Sequence, residues 1–129
     1  MAFSRTSVGV GLRVGISLLA LGTAAIHLYL GLSFGNTLFV LNGLGYLGLL
    51  TALQLPIPQL ARFRSAVRLA LVGYTALTIA LYLLDNPGMA IGYIDKAIEV
   101  VLVTLLLADA YRARLEPSGE ALEAGTIGQ

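Results

Sequence analysis

His27 is the only histidine in the chain, and it lies within an apolar stretch where charge is costly. Glu99 lies in another such stretch, four residues after Asp95 and three after Lys96. Residues four apart share one face of a helix, so both carboxylates point the same way. An imidazole beside a carboxylate can pass a proton near neutral pH, because histidine changes charge in that range. Asn42 adds an uncharged donor and acceptor, and Tyr82 and Thr78 fall in or near the same layer. His27, Asn42, Tyr82, Asp95, Lys96 and Glu99 are therefore the candidate site for a proton or small ligand. The same residues also have a silent reading: hydrogen bonds from His27, Asn42 and Glu99 that set the register of packed helices. In that reading Lys96 compensates Glu99, and Asp95 suits a helix start facing the positive end of the helix dipole.

Other chemistries fit less well. One histidine and two carboxylates are plausible metal ligands, but no sequence motif surrounds them, and no metal is assigned. A lone histidine offers one axial haem ligand, so bis-histidine ligation would need two chains. With no cysteine, disulfides, thiolate zinc sites and iron–sulfur clusters are excluded. Neither a hydrolase motif nor a phosphate loop occurs, and a nucleophile, base and orienting group cannot be assembled around one histidine. The reading is of a protein that is not an enzyme and carries no cofactor. A net charge of +1 gives no argument for nucleic acid.

The elements that must carry these residues are membrane spans. The 129-residue chain is 57% hydrophobic and 12% charged, with a mean hydropathy of +0.86; soluble domains carry about twice that share of charge. Four apolar stretches, about 14–32, 38–55, 66–84 and 92–111, each approach the ~20 residues needed to cross a bilayer. An all-α, integral membrane four-helix bundle of up-down-up-down order follows, with the lipid bilayer as its first partner. Residues 1–13 precede the first span, and 112–129 form a flexible tail. Turns separate the spans: Ser33 to Thr37, Pro56 to Gln59, and Asp85 to Gly88. A cleaved signal peptide competes for the first stretch, but the apolar run continues from Ile26 to Leu32 past any small-residue cleavage point.

Seven of the eight basic residues, Arg5, Arg13, Arg62, Arg64, Arg68, Arg112 and Arg114, fall on one side of these spans; Lys96 alone falls on the other. Positive residues stay cytoplasmic, so both termini are cytoplasmic in a multi-pass protein of the cell membrane. Counting inward at 1.5 Å per residue sets His27, Asn42 and Glu99 about 6 to 12 Å below the outer boundary on three different helices. Small residues offer close approach between helices: Asn42, Gly45, Gly48 and Ala52 in the second span, and Ala66, Ala70, Gly73, Ala76 and Ala80 in the third. Through such faces the chain could meet another membrane protein or a second copy of itself.

His27-Leu28-Tyr29-Leu30-Gly31, Asn42-Gly43-Leu44-Gly45-Tyr46, Gly73-Tyr74-Thr75 and Asp95-Lys96 resemble the corresponding stretches of a family of small four-span membrane proteins from halophilic archaea. The likeness covers roughly residues 14 to 112. It implies the four-span architecture and assigns no catalytic residue. Two functions are compatible with these features: a non-enzymatic accessory or interaction subunit, and a proton-coupled carrier or small-ligand binder using the polar layer.

Overall fold

The computed structural model describes residues 5–85 and 90–115. Its described residues are helical, without a strand, in the order α1 (Arg5–Phe34), α2 (Thr37–Gln54), α3 (Pro58–Ala61), α4 (Arg64–Asp85) and α5 (Ala90–Leu115). The expected boundaries shift outward: α1 begins well before residue 14, and α5 continues to Leu115. The segment 5–13 is thus part of the first helix, as is 112–115 of the last. Most of the expected stop at Asp85 to Gly88, and the tail from 116, lie outside the described residues.

Local chemistry explains the junctions. Gly35 has φ +65°, the left-handed conformation that glycine adopts without steric cost, and the Asn36 N–H donates back to the Gly31 carbonyl at 2.8 Å. This six-to-one closure ends α1 in a Schellman motif. Asn36 immediately starts α2, its side-chain oxygen accepting from the Leu38 and Phe39 N–H groups. The α2 helix stops at Gln54, with Leu55 in extended conformation just before Pro56. Pro58 then occupies the first turn of the short α3, where its missing N–H costs nothing.

Among the described residues, three helical stretches are long and apolar enough to cross a membrane: Ser7–Phe34, Thr37–Gln54 and Arg64–Leu84. The fourth long helix, α5, is not among them, because Asp95, Lys96, Glu99, Asp109, Arg112 and Arg114 interrupt its apolar character. Its acids at 95 and 99 are buried, whereas Ile94, Val100, Val101 and Leu107 are about half exposed. Around Asp95 and Glu99 the helix is amphipathic in an inverted sense, polar inside and apolar outside, whereas further along it buries Leu102 and Leu106.

The α1 helix packs along α2 and α5, and α4 closes against α2 and α5. Toward the arginine-rich end the interior is apolar, built from Ile16, Ala20, Leu50, Leu53, Leu71, Leu102 and Leu106. Toward the other end it becomes polar, with Thr23, His27, Thr78, Asp95 and Glu99 buried. The outer surface is apolar, as shown by Leu32 and Leu38, each 75% exposed, and Leu84, 84% exposed. Such continuous apolar cover marks a surface that meets something other than water.

The small-residue faces do not form the closest helix contacts within the described residues. Ala66, Ala70, Gly73, Ala76 and Ala80 lie exposed on α4, and added Cβ atoms at Gly48 or Gly73 would meet nothing within 4 Å. Close approach occurs instead at Gly31 and Gly43. A Cβ at Gly31 would lie 2.7 Å from the Val40 backbone nitrogen, and one at Gly43 would lie 2.9 Å from the Ala24 carbonyl. The tightest seam therefore joins α1 to α2. Gly45 also serves, accommodating the Tyr74 hydroxyl.

Candidate functional site

Thr23 and His27 come from consecutive turns of α1, Tyr46 from α2, Thr78 from α4, and Asp95, Lys96 and Glu99 from the first turns of α5. All but Lys96 are buried, and Glu99 is completely so. Three helices thus bring their polar groups to an acidic patch supplied by the fourth.

Glu99 is held at both oxygens. Its Oε2 accepts from the Lys96 ammonium at 2.6 Å. Its Oε1 accepts from the Tyr46 hydroxyl at 3.0 Å and lies 3.2 Å from the hydroxyls of both Thr23 and Thr78. Asp95 is held in the same way: the Thr23 hydroxyl donates to Oδ1 at 2.6 Å, and Lys96 lies 3.2 Å from Oδ2. Charge-assisted bonds of this kind are roughly twice as strong as neutral ones. Burial of two carboxylates requires such partners, because an unpaired buried charge would cost several kcal/mol.

His27 completes the layer. Its Nδ1 lies 2.8 Å from the Thr23 backbone oxygen; a carbonyl only accepts, so Nδ1 carries a hydrogen. The other nitrogen, Nε2, therefore faces Asp95 Oδ2 at 3.6 Å and Glu99 Oε1 at 4.0 Å. A bare Nε2 would turn its lone pair toward two acceptors, whereas a protonated Nε2 would direct an N–H at them. The ring is boxed by Phe39, edge-on at 5.8 Å between centroids, and Tyr46 at 5.9 Å. Tyr74 supports Tyr46 edge-on at 4.9 Å and donates its own hydroxyl to the Asn42 carbonyl. Aromatic walls fix the imidazole and keep water scarce around it.

His27, Asp95, Lys96 and Glu99, expected together from depth alone, do converge. Tyr82 lies at the border, with the Lys96 ammonium 5.3 Å from its ring centroid. Asn42 is not hydrogen-bonded to these groups through its side-chain oxygen. Its side-chain oxygen is buried but has no hydrogen-bond partner among the described residues, and only its backbone carbonyl is used, by Tyr74. Tyr46, one turn further along α2, is the residue that donates to Glu99 from that helix. Tyr46 and Thr23 were not anticipated as site residues. Their signal was spacing, each four residues from an expected member on the same helix.

One nitrogen of His27 and one oxygen each of Asp95 and Glu99 lie within 4.8 Å of one another, a span compatible with a divalent cation. However, the ammonium of Lys96 already bridges the two carboxylates. A metal ion would have to displace this resident cation, so the donor set favours a proton over a metal.

Comparison with known protein families, curated proteins and solved structures returns no match. The functional argument therefore rests on the geometry of this chain.

Proposed function

We propose that the chain is a multi-pass protein of the cell membrane, crossing four times in up-down-up-down order with both termini cytoplasmic, and that its buried cluster binds a proton. The membrane reading is supported by three membrane-length apolar helices and by an α5 whose buried acids leave apolar residues outward. A two-residue turn between α1 and α2 requires α2 to reverse direction. The one-sided arginines give the orientation, which puts the cluster in the outer leaflet. The resemblance to four-span proteins of halophilic archaea belongs to the same proposal.

The observation that carries the function is the position of His27 Nε2 before two buried carboxylates that share one lysine. With Asp95 and Glu99 ionised and Lys96 charged, the cluster has one uncompensated negative charge. Protonation of His27 balances it. Loss of that proton leaves the charge in a medium where each uncompensated charge is costly, so occupancy of one site is tied to the stability of the whole layer. A protein built this way can couple proton binding to movement of a helix or a solute, without catalysing a covalent reaction.

A single histidine makes the test direct. In protein labelled with nitrogen-15 histidine and reconstituted in lipid, the ring resonances report His27 alone. A ring protonation state that changes reversibly with pH, and that responds differently in Glu99→Gln, is the expected result. An imidazole locked in one protonation state would end the proton reading. The alternative, an accessory or interaction subunit, is favoured by the completeness of the network, since all four charged groups have partners within the chain. A locked His27, with assembly lost only when the cluster is broken, would support it.

A further inference from the structure

A cavity of about 590 Å³ opens at the opposite end of the molecule, between the N-terminal part of α1, the end of α2, the start of α4 and the end of α5. It lies 14 residues before His27 on α1 and 13 after Glu99 on α5, roughly 20 Å from the acid–base cluster along the helices. Its volume falls within the range typical of small-ligand sites. Four arginines line it, Arg13, Arg64, Arg68 and Arg112, against one acid, Asp109. Among these lining residues the formal charge is therefore +3.

The positive groups are built into the fold. Arg68 is buried and donates from Nε to Asp109 Oδ2 at 3.0 Å, a bond that anchors it across α4 and α5. Arg13 is tied to α2, donating from Nε to Gln54 Oε1 at 3.1 Å. The guanidinium of Arg112 lies against Gly9 of α1. A guanidinium has five N–H donors, so the two bonds from Arg13 to Gln54 and the one from Arg68 to Asp109 leave donors on both for another acceptor. Arg64 and Ser65 add the first turn of α4, the positive end of a 22-residue helix. Ile16 and Leu53 form an apolar wall.

We propose that this cavity binds a phosphate-bearing anion, either the headgroup of an anionic phospholipid or a soluble phosphate. Planar guanidinium groups pair bidentately with phosphate, and a helix start adds aligned backbone dipoles. Basic pockets between membrane helices on the cytoplasmic side suit anionic headgroups in particular, and the apolar wall suits the first carbons of an acyl chain. Nothing in this site depends on the proton reading of the distant cluster.

The test uses the full chain in detergent, with thermal unfolding and native mass spectrometry as readouts. Phosphatidylglycerol is the lipid probe, phosphatidylcholine its zwitterionic control, and inorganic phosphate the soluble probe. Phosphatidylglycerol should raise the unfolding temperature and be retained on the protein, while phosphatidylcholine should do neither. Arg64→Gln combined with Arg112→Gln should weaken this binding about tenfold or more, the loss expected for removing a charged hydrogen bond. Ser65→Glu is the second variant: it puts a negative charge in the cavity mouth, yet an acid in the first helical turn is compatible with folding. It should also weaken binding while the ligand-free unfolding temperature is retained. Protection by inorganic phosphate without protection by phosphatidylglycerol would support the anion site and assign it a soluble ligand. Equal binding of both lipids, unchanged binding in both variants, or no response to either phosphate source would overturn the proposal.

Discussion

The ammonium of Lys96 lies 2.6 Å from Oε2 of Glu99, one turn along the same helix, and this ion pair lets two carboxylates remain buried together. Lys96 also reaches Asp95 at 3.2 Å. Removing it leaves two acids facing each other beside one imidazole. Lys96→Met should therefore destabilise the protein by about 3 to 5 kcal/mol, as expected when one partner of a buried pair is deleted. Reversible unfolding in detergent measures this. Lys96→Met with Glu99→Gln should recover much of the loss, since it removes the stranded charge as well; a double variant as unstable as the sum of the two single changes would contradict the pairing.

The same lysine predicts when metal will bind. With Lys96 in place the carboxylates already hold a cation, and zinc should not bind measurably in titration calorimetry. Lys96→Ala should open a site in which His27, Asp95 and Glu99 offer one imidazole and two carboxylates within 4.8 Å, a donor set zinc accepts. Binding should then be lost again in Lys96→Ala with His27→Ala. Equal zinc affinity with and without the lysine would show that it does not occupy the cation position.

Tyr46→Phe separates hydrogen bonding from packing. The tyrosine is fully buried and donates to Glu99 at 3.0 Å, while its ring packs on Tyr74 and near His27. Loss of the hydroxyl alone should cost about 1 to 3 kcal/mol, because Glu99 loses a donor it cannot replace with water. Tyr46→Leu should cost more, since the aromatic contacts disappear too. Equal costs for the two changes would mean that the hydroxyl carries all of the effect.

These residues also show what the sequence could reveal. Apolar length and turn chemistry are local, so the helices and the Gly35–Asn36 reversal were readable directly. Depth along a helix is counted in residues, which brought His27 and Glu99 to one level. Rotation about the helix axis is set by packing, and a stretch apolar on nearly every side gives little periodic signal for it. Asn42 was therefore expected in the layer whereas Tyr46 makes the hydrogen bond to Glu99 from that helix, and which way the alanine series on α4 faces was not legible in the sequence. The arginine cavity was hidden for a related reason. Arg13, Arg64, Arg68 and Arg112 are far apart in sequence, and their shared charge suggested topology before it suggested a site.

The α1–α2 seam gives a packing prediction with an internal control. A Cβ at Gly31 would stand 2.6 Å from Val40 Cγ2 and 2.7 Å from its backbone nitrogen; the side chain could turn away, but the backbone could not. Gly31→Ala should thus force α1 and α2 apart at about 1 to 3 kcal/mol, the usual cost of overpacking. Gly48→Ala, in the same pair of helices but with open space around the new atom, should change stability by less than about 0.5 kcal/mol. Comparable losses at both positions would implicate the glycine backbone itself rather than the close approach.

Orientation is the remaining premise, and a chain without cysteine allows it to be tested without background. Ser33 lies exposed in the last turn of α1, just before the reversal into α2, and Gln59 lies in the exposed segment before α4, near opposite ends of α2. If the arginine-rich end is cytoplasmic, Ser33→Cys should react with a membrane-impermeant maleimide added to intact cells, and Gln59→Cys only after permeabilisation. The reverse pattern would put the acid–base cluster in the cytoplasmic leaflet and the arginine cavity outside. Labelling of both sites in intact cells would mean that α2 does not cross the bilayer, and the four-span topology would fall.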